Sequence, residues 1–539
     1  MRVSEQILKY LVENGVESVY GVPSGTISPI VDSFNDRDEI KFIITKNEAA
    51  ASYSSCKFAK VTQKLGVCLM SGSVGIGNAI NGIAEAFETK APVLIITGYV
   101  ARWQQNLGAM QEIPSEKYIN SIVKYTTIIN DEENLLKELK KAMEIAMEHP
   151  RGPVHIGVPL DVQRHEFLGN QVDIIKPRKI QSDYESLDKA INLINDSKNG
   201  LVIVGGGSRN LSEKIKKLEE KLNWRLVTTT SGKGIIEENY RLHMGNFGFP
   251  GTDFANSIIK NEKFDCVLVL GSKLGESATS NFDRNLVKNK LIHIDIDNSV
   301  FNKAYNADIS VVADLEVAID YIAEKIYYKN LDNDIKEPLN NLDRKKHTGL
   351  SLRVLYEKIT SIMPKNTFYV NDMGNSMIFC FKYLRVPIEG DFECNINYAC
   401  MGSSIGAMGI SRIDTIRTIA VFIGDGSFYM NGMAELLTAK KYNMKIVYFI
   451  INNSALSFVE KGHMSIFGRS LGEFSDENLN ISEMVKCMNI KSLRISEDKD
   501  IEYLKEFLSD IKGPIVIEVV PDSREPIPTN RFKALASIK

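Results

Sequence analysis

The strongest constraint on the fold of this chain is that short apolar runs alternate with amphipathic segments along most of its length. Each apolar run is too short for a helix and rich in β-branched residues, so it predicts a strand buried on both faces. Strands that alternate with helical segments are typical of βαβ units on a parallel sheet. The pattern therefore predicts an α/β protein built from doubly wound parallel sheets.

The alternation falls into three blocks, which agrees with the number of domains that 539 residues suggest. We place the domains at residues 1–170, 185–328 and 350–539. A polar, charged segment at residues 329–349 separates the second block from the third and is predicted to be a linker. The first and third blocks share length and pattern, so we expect two similar folds on either side of a central one.

The composition argues against several classes of protein. With 65 basic and 68 acidic residues the net charge is −3, and nothing favours binding to nucleic acid or to a membrane surface. The amino-terminal segment carries Lys and Glu, unlike a signal peptide, and no apolar stretch reaches about 18 residues. The seven cysteines are scattered, without a CxxC pair. We therefore expect a cytoplasmic protein with reduced thiols and with neither a nucleic-acid nor a membrane partner.

Polar residues follow two predicted strands of the third block, where GDGS (424–427) ends one strand and Asn452–Asn453 ends another. In open parallel sheets, ligands bind at that edge. Gly424 and Gly426 allow a tight turn close to an anion, and N–H groups at a helix start suit phosphate oxygens. Asp425 would repel a phosphate unless a cation such as Mg²⁺ lay between them. The pattern predicts a cation–diphosphate site; a simple turn Asp and turn Asn is the alternative.

The stretch from Gly424 to Asn453, with a helix predicted to begin near Asn431, resembles the cofactor motif of thiamine diphosphate-dependent enzymes. The resemblance implies thiamine diphosphate and Mg²⁺ as cofactors. By it, the cation would be held by Asp425, Asn453 and the carbonyl of Ala455, and the diphosphate by Gly424, Gly426 and Ser427. One residue more than the usual pattern lies between Met430 and Glu435, which leaves open which Asn of the pair is the ligand.

Glu48 directly follows the predicted strand IKFIIT and precedes a run of small residues. In the family that this chain resembles, a glutamate in that place faces N1′ of the aminopyrimidine ring and drives it into the form that acts as an internal base. Asn47 stands where the family usually has His. The alternative is a helix-start glutamate favoured by the helix dipole. Because the family draws this glutamate and the diphosphate site from different subunits, the resemblance implies at least a homodimer, commonly a homotetramer.

Other stretches fit the same resemblance, which covers essentially the whole chain. The resemblance implies that Gly25 lies near the thiazolium ring and that Asn375 is a further cofactor contact. It also implies that the Ala399 carbonyl accepts a hydrogen bond from the 4′-amino group and that Met401 bends the cofactor into a V shape. Taken alone, Met401 would be an ordinary core methionine.

The segment at residues 98–119 decides between branches of the family. It contains no His, whereas decarboxylases of the superfamily often carry an adjacent His pair there. Instead GAMQEIP (108–114) resembles a segment of acetolactate synthases and pyruvate oxidases, in which Gln111 would contact the substrate or intermediate. A solvated helix residue is the alternative for Gln111. The implied function is a carboligase or lyase that decarboxylates a 2-oxo acid such as pyruvate and transfers the product to an acceptor carbonyl.

A 2-oxo acid decarboxylase without ligation and an FAD-dependent pyruvate oxidase are close alternatives. The glycine turn at 204–210 is a weak flavin signal, and residues 271–285 resemble flavin-free relatives, so the sequence does not favour FAD. A non-catalytic thiamine diphosphate-binding protein is more distant, because such a protein has no need of both Glu48 and the GDG motif. A Rossmann dehydrogenase would need GxGxxG after the first strand, and VYGVPSGT lacks it.

For His463 we favour a structural role over an acid–base role.

Overall fold

A computed structural model describes residues 1–178, 180–329, 349–529 and 531–532. Within these residues the strands form three six-stranded sheets, and neighbouring strands of each sheet pair in parallel. Helices connect the strands, as the alternation of apolar runs and amphipathic segments predicts. The prediction of three doubly wound α/β units is therefore confirmed. The predicted linker falls almost entirely on residues 330–348, which lie outside the described residues.

The first sheet lies between residues 18 and 159 and has the order β2-β1-β3-β4-β6-β5. Its strands are β1 (Ser18–Gly21), β2 (Lys41–Ile44), β3 (Gly66–Ser71), β4 (Val93–Tyr99), β5 (Tyr125–Ile128) and β6 (Val154–Pro159). Its α-helices are Val3–Glu13, Ser28–Asp32, Glu48–Thr62, Val74–Thr89, Ser115–Ile119, Leu135–Met147 and Leu160–Arg164. The chain runs outward in opposite directions from β1 and β3, so their carboxyl ends form the switch point at which open α/β sheets bind ligands.

The third sheet repeats that order as β14-β13-β15-β16-β18-β17. Its strands are β13 (Phe368–Asn371), β14 (Asp391–Glu393), β15 (Ile419–Gly424), β16 (Ile446–Ile451), β17 (Lys491–Ile495) and β18 (Ile515–Val519). Its α-helices are Leu352–Ile362, Asn375–Tyr383, Ala407–Ile410, Asp425–Ser427, Met433–Lys441, Ser457–Phe467, Ile481–Lys486 and Asp500–Phe507. The equal strand order confirms the expectation that the first and third blocks share a fold, and it puts the second switch point between β13 and β15.

The central sheet has a different order, β12-β11-β10-β7-β8-β9, with its switch point between β7 and β10. Its strands are β7 (Gly200–Val204), β8 (Arg225–Thr228), β9 (His243–Asn246), β10 (Cys266–Leu270), β11 (Lys290–Asp295) and β12 (Ile309–Val312). Its α-helices are Tyr184–Asp196, Ser212–Leu222, Asp253–Asn261 and Leu315–Lys325. The domain limits that we place at 170, 185, 328 and 350 stay predictions.

The helix Glu48–Thr62 packs between the first and third sheets, and its small residues explain how. A Cβ atom added to Gly82 would come 2.2 Å from the Ser52 hydroxyl, and one added to Gly409 would come 1.9 Å from the Ser54 carbonyl oxygen. Such contacts leave no room for a side chain, so the backbones on both sides approach the helix closely. One continuous buried core results, with residues from both blocks.

A buried ion network joins all three blocks beside that helix. Lys57 contacts Glu85 at 2.8 Å and Glu393 at 3.2 Å, and Lys60 contacts Glu393 at 2.6 Å. Arg209 of the central block reaches the same carboxylate at 3.6 Å. Burial opposes ionisation of Glu393, but the neighbouring cations outweigh it and lower its pKa to about 2. Charge pairing therefore fixes the orientation of the strand β14, which leads into the segment with Ala399 and Met401.

In the part of the chain that the structure describes, no helix is both long and apolar enough to cross a bilayer. All seven cysteines are free thiols, and five of them are buried.

Candidate functional site

Asp425 stands directly after β15, and its carboxylate faces the end of the neighbouring strand β16. One oxygen accepts from the backbone N–H of Gly426 at 2.8 Å, and the other accepts from the N–H of Ser454 at 2.6 Å. Burial raises the pKa of Asp425 above its ordinary value, although these backbone N–H groups act in the opposite direction. A buried carboxylate without a cationic side chain is a site at which a bound cation would offset the desolvation penalty.

The geometry separates the two asparagines that the sequence leaves as alternatives. The Asn452 side chain is buried, and its amide nitrogen donates to the Leu479 carbonyl at 2.9 Å and to Glu518 at 2.7 Å. Asn453 is only half-buried, and its amide oxygen accepts a single long hydrogen bond of 3.3 Å from the Ala455 N–H. The Asn452 oxygen also accepts one hydrogen bond of 3.3 Å, from the Ser454 hydroxyl, so the difference lies in burial and in the two hydrogen bonds that anchor the Asn452 amide nitrogen. This difference favours Asn453 as the candidate cation ligand.

The helix after Asp425 starts earlier than the sequence predicts and is interrupted by a π-helical turn. It begins at Asp425 rather than near Asn431, continues as a π-helix over Phe428–Gly432, and returns to α-helix at Met433–Lys441. A π-turn accommodates one residue more than an α-turn. The extra residue that the sequence shows between Met430 and Glu435 is absorbed in this turn.

Asp372, a residue that the sequence analysis does not single out, ties three segments of the site together. Its carboxylate accepts from the backbone N–H groups of Gly402 and Ser404, each at 2.9 Å, and from the Ser427 hydroxyl at 2.9 Å. The Ser427 hydroxyl is therefore engaged with protein, so a diphosphate contact by this residue would use its backbone N–H. The only sequence signal for Asp372 is a single Asp after the strand β13.

The segment after β14 brings strained backbone and an apolar side chain to the same place. Ala399 has a φ of 60°, which is rare for a residue other than glycine and Asn, and such strain is concentrated at functional sites. Met401 lies beside the turn of Asp425, with its methyl carbon 3.5 Å from the position of a Cβ atom on Gly426. The structure thus brings together the pyrimidine segment and the diphosphate segment that the resemblance assigns to one cofactor.

Asn375 adds an unsatisfied polar atom to this group. Its amide nitrogen donates to the Ser457 hydroxyl, while its amide oxygen is buried without a hydrogen-bond partner. Buried polar atoms are usually paired, and a bound ligand group is one way to satisfy this oxygen, although other buried polar atoms of the described residues also have no partner. The orphaned oxygen, the strained Ala399 and the buried carboxylate of Asp425 all fit a bound thiamine diphosphate with its cation.

Glu48 starts the helix Glu48–Thr62 and is 8% exposed, in a run of buried alanines. Asn47, where the family usually has His, is the N-cap: its side-chain oxygen accepts from the Ala49 N–H at 2.8 Å. The Glu48 carboxylate accepts from the side-chain amide of Asn78 at 2.9 Å, so one of its oxygens is held in place. Asn78 belongs to the glycine-rich segment at residues 71–98, but nothing in its own sequence context predicts this contact.

Glu48 and Asp425 of one chain do not meet. The turn before Glu48 hydrogen-bonds to Glu435, which follows the π-helical turn and stands on the order of 10–15 Å from Asp425 along the helix axis. This separation agrees with the expectation that the two residues of one chain serve different cofactor sites.

The remaining predicted site residues lie outside this cluster of contacts. Gly25 is exposed in the turn after β1, and no atom lies within 4 Å of an added Cβ. Gln111 is exposed in a loop with a φ of 67°, so the alternative of a helix residue is wrong. The His463 ring packs edge-on against Phe467 and Phe474, as expected for a structural histidine.

Among the described residues, no group of three or more His, Cys, Asp or Glu side chains could hold a metal. A cation at Asp425 would therefore depend on one carboxylate together with amide, carbonyl and diphosphate oxygens, the oxygen-rich set that Mg²⁺ prefers.

The switch point of the central sheet opens into a cavity of about 510 Å³, where a flavin would be expected. Two ion pairs between the first and central blocks border it, Lys90 with Asp297 and Lys273 with Glu88. No Phe, Tyr or Trp is among the described residues that line it, and His149 is the one aromatic ring in that lining.

Comparison with known families defines the class of the protein. Residues 1–119 match the N-terminal TPP binding domain of thiamine pyrophosphate enzymes, residues 187–322 their central domain, and residues 372–519 their C-terminal TPP binding domain. The chain belongs to the thiamine pyrophosphate enzyme family, which confirms the class that the GDG motif and Glu48 predict.

Similar proteins indicate the branch of the family. A probable acetolactate synthase large subunit from Methanocaldococcus jannaschii is 28% identical over 98% of this chain and 93% of its own length. The acetolactate synthase large subunit of Cyanidium caldarium is 26% identical over 96% of this chain and 93% of its own length. The predicted resemblance to the acetolactate synthase branch is confirmed.

Proposed function

We propose that this protein is a thiamine diphosphate- and Mg²⁺-dependent carboligase that decarboxylates pyruvate and joins the product to an acceptor carbonyl, as acetolactate synthase does. The observation that carries the proposal is the pair of complementary sites on two sheets of equal strand order, one with Glu48 and the other with Asp425. Relatives that align over nearly the whole chain are named acetolactate synthases.

In this proposal the third block binds the charged end of the cofactor. When bound, thiamine diphosphate supplies a carbanion that adds to the substrate carbonyl and accepts the electrons released with carbon dioxide. Asp425, Asn453 and the Ala455 carbonyl would hold the cation, and the N–H groups at the helix start would bind diphosphate oxygens. Met401 would support the bend between the two rings.

The first block supplies the proton chemistry. Glu48 would hold a proton at N1′ of the aminopyrimidine, while the Ala399 carbonyl would accept from the 4′-amino group. The alanines that follow Glu48 are buried, and Glu48 itself is largely buried beside them. Asn78 holds one carboxylate oxygen and leaves the other available, so the orientation of Glu48 is fixed before the cofactor binds.

We also infer that the site is completed by a second copy of the chain, in a homodimer at least and in a homotetramer by analogy with the family. Apolar side chains are exposed beside both parts: Val74, Trp103 and Met110 on the first block, Met430 and Phe467 on the third. Exposed apolar surface of this kind is typical of protein–protein contact. Assembly would bring Gln111 over a neighbouring cofactor, where it would contact the substrate.

Seven free thiols support the cytoplasm as the compartment.

A single preparation tests the proposal. We would purify the protein, record its visible spectrum, and incubate it with pyruvate, thiamine diphosphate and Mg²⁺. The proposal predicts acetolactate as the main product and no flavin absorbance. Acetaldehyde as the main product would indicate a simple decarboxylase, and acetyl phosphate together with a flavin band would indicate an oxidase. Either outcome would overturn the carboligase assignment.

A further inference from the structure

The carboxylate of Glu435 makes a contact between the third and first blocks that the function above does not use. It is 2% exposed. One oxygen accepts from the backbone N–H groups of Lys46 at 2.8 Å and Asn47 at 3.0 Å, and the other accepts from the Thr438 hydroxyl at 2.7 Å. Lys46 and Asn47 are the two residues directly before Glu48. We propose that Glu435 is a positioning residue that fixes the turn from which Glu48 is presented.

The position of the turn at Lys46 and Asn47 explains why it depends on a hydrogen-bond acceptor from another segment. It connects the end of β2 with the first residue of the helix Glu48–Thr62, so its N–H groups belong neither to the sheet ladder nor to the helix. Lys46 and Asn47 are exposed, so without Glu435 their N–H groups would bond to water, and this constraint on the conformation of the turn would be lost. Glu435 satisfies two such groups with one oxygen and thereby selects one conformation of the turn.

The π-helical turn provides a second and independent observation. One residue added to a regular α-helix would rotate all that follows by about 100°. Such a rotation would turn Glu435 away from Lys46 and Asn47. The π-turn at Phe428–Gly432 absorbs the extra residue before Glu435 is reached, so the contact is kept although the helix is irregular. The irregularity therefore lies where it preserves the link between Asp425 and the turn before Glu48.

A second contact, made by the residue directly after the helix of Glu435, distinguishes a positioning role from a general effect on stability. The hydroxyl of Tyr442 accepts from the Ile44 N–H at 2.8 Å and lies 3.2 Å from the Phe42 carbonyl oxygen, so β2 has its own tether to the third block. Loss of the Glu435 carboxylate would leave this tether and the shared core intact. We therefore expect a local change at the turn in a folded protein.

The test compares Glu435→Ala and Glu435→Gln with Glu525→Ala as a matched control. The Glu525 carboxylate is also buried, and it accepts from the Leu352 N–H at 2.8 Å and the Ser351 hydroxyl at 2.6 Å, at a helix start outside the site cluster. The Gln variant keeps an oxygen acceptor without the charge. Should Glu435→Ala fail to fold, Glu435→Asp, whose side chain is one methylene shorter, replaces it.

The first readout is amide hydrogen exchange of the cofactor-free protein. We expect Glu435→Ala to speed exchange at residues 46–47 by about tenfold or more, because a hydrogen bond that is lost exposes its N–H to solvent. We expect Glu435→Gln to stay near wild type and Glu525→Ala to change exchange only around residues 351–353. Unchanged exchange at residues 46–47 in Glu435→Ala would overturn the proposal.

The second readout uses the holoenzyme. We expect Glu435→Ala to lower kcat by about 10–100-fold, the usual range for a residue that orients a functional group, with KM and cofactor affinity within a few-fold of wild type. Proton exchange at C2 of the bound cofactor, followed by NMR, should slow in parallel, and Glu435→Gln should restore most of both rates. Equal losses of kcat in Glu435→Ala and Glu525→Ala would contradict a positioning role.

This inference rests on the proposed role of Glu48, and Glu48→Gln separates the two failures. If Glu48→Gln keeps full turnover, the proposed chemistry is wrong and the positioning role falls with it. If Glu48→Gln is inactive while Glu435→Ala turns over like wild type, only the positioning role is wrong.

Discussion

The first and third sheets have the same strand order, and each predicted site residue of one sheet has a topological counterpart on the other. Gly25 follows β1 as Asn375 follows β13, and Glu48 follows β2 as Ala399 follows β14. The turn that begins at Gly72 follows β3, and Asp425 follows the corresponding strand β15. In the same way, Gln111 follows β4 and Asn453 follows the corresponding strand β16.

The difference between the two sheets lies in chemistry and not in topology. After β3 the chain has the uncharged pair Gly72–Ser73, whereas after β15 it has the buried carboxylate of Asp425. The first sheet instead places its carboxylate, Glu48, after the edge strand β2 and surrounds it with alanines. In the proposed function, one topology would supply a cation site in one block and a proton-transfer site in the other, because a few loop residues differ.

The largest effect is expected from Glu48→Gln, which leaves shape and hydrogen bonding nearly unchanged but removes the ionisable group. We predict that kcat falls by about 10²–10⁴-fold, the usual contribution of a positioned acid or base. Affinity for thiamine diphosphate, measured by titration of intrinsic fluorescence, should stay within a few-fold of wild type. Turnover near wild type would remove Glu48 from the mechanism and break the comparison.

Asp425→Asn should affect binding rather than proton transfer. Loss of the carboxylate weakens the cation site, and we predict that affinity for thiamine diphosphate with Mg²⁺ falls by roughly 10–100-fold. Removal of divalent cations from the wild-type protein with a chelator should give a similar loss. Cofactor binding that responds neither to the substitution nor to the chelator would contradict a cation at Asp425.

Gly82→Ala tests the close packing of the helix Val74–Thr89 against the helix Glu48–Thr62 within the first block. The added methyl group would meet the Ser52 hydroxyl, so we predict a loss of about 1–3 kcal/mol in the free energy of unfolding. Gly77→Ala in the same helix is the matched control, because an added Cβ there has no atom within 4 Å. We expect it to be neutral or to stabilise by up to about 1 kcal/mol. Equal effects of the two substitutions in a denaturant titration would contradict the packing.

The smallest predicted effect is a pH dependence of stability in the cofactor-free protein. Burial raises the pKa of Asp425, so the folded state holds its proton at higher pH than the unfolded state does. The contribution of this group is therefore favourable at low pH and is lost as pH rises above about 4, the ordinary value for Asp. Asp425→Asn should raise the melting temperature at pH 7 and lose that advantage toward pH 4; a lower melting temperature at pH 7 would contradict the assignment.

Local sequence patterns predict much of this structure. Short β-branched runs identify the buried strands, and the GDG and Asn-Asn segments identify the strand ends at which polar groups meet. The choice between Asn452 and Asn453 is different, because it depends on where Glu518, far along the chain, directs its carboxylate. Sequence spacing carries no information about such a contact.

The residues that sequence analysis misses act across long separations in the chain. Asn78 reaches Glu48 from 30 positions away, Asp372 reaches Ser427 from 55, and Glu435 reaches Asn47 from 388. Each is an ordinary polar residue in its own segment, and only the packing of the two sheets shows its partner. The π-turn is likewise visible in sequence only as one extra residue, without a sign of the geometry that absorbs it.

The central claim is that Glu48 of one copy and Asp425 of another complete a single site, and subunit complementation tests it most directly. Glu48→Gln and Asp425→Asn chains are co-expressed with different tags, and activity is measured for the mixture and for each variant alone. If the sites are shared, a mixed dimer contains one site with both native residues. The assay uses a thiamine diphosphate concentration that fills the wild-type site but not the Asp425→Asn site, so that neither variant is active alone. Random pairing should then restore about a quarter of wild-type activity. A mixture as inactive as its components, with mixed dimers shown to form, would contradict the account.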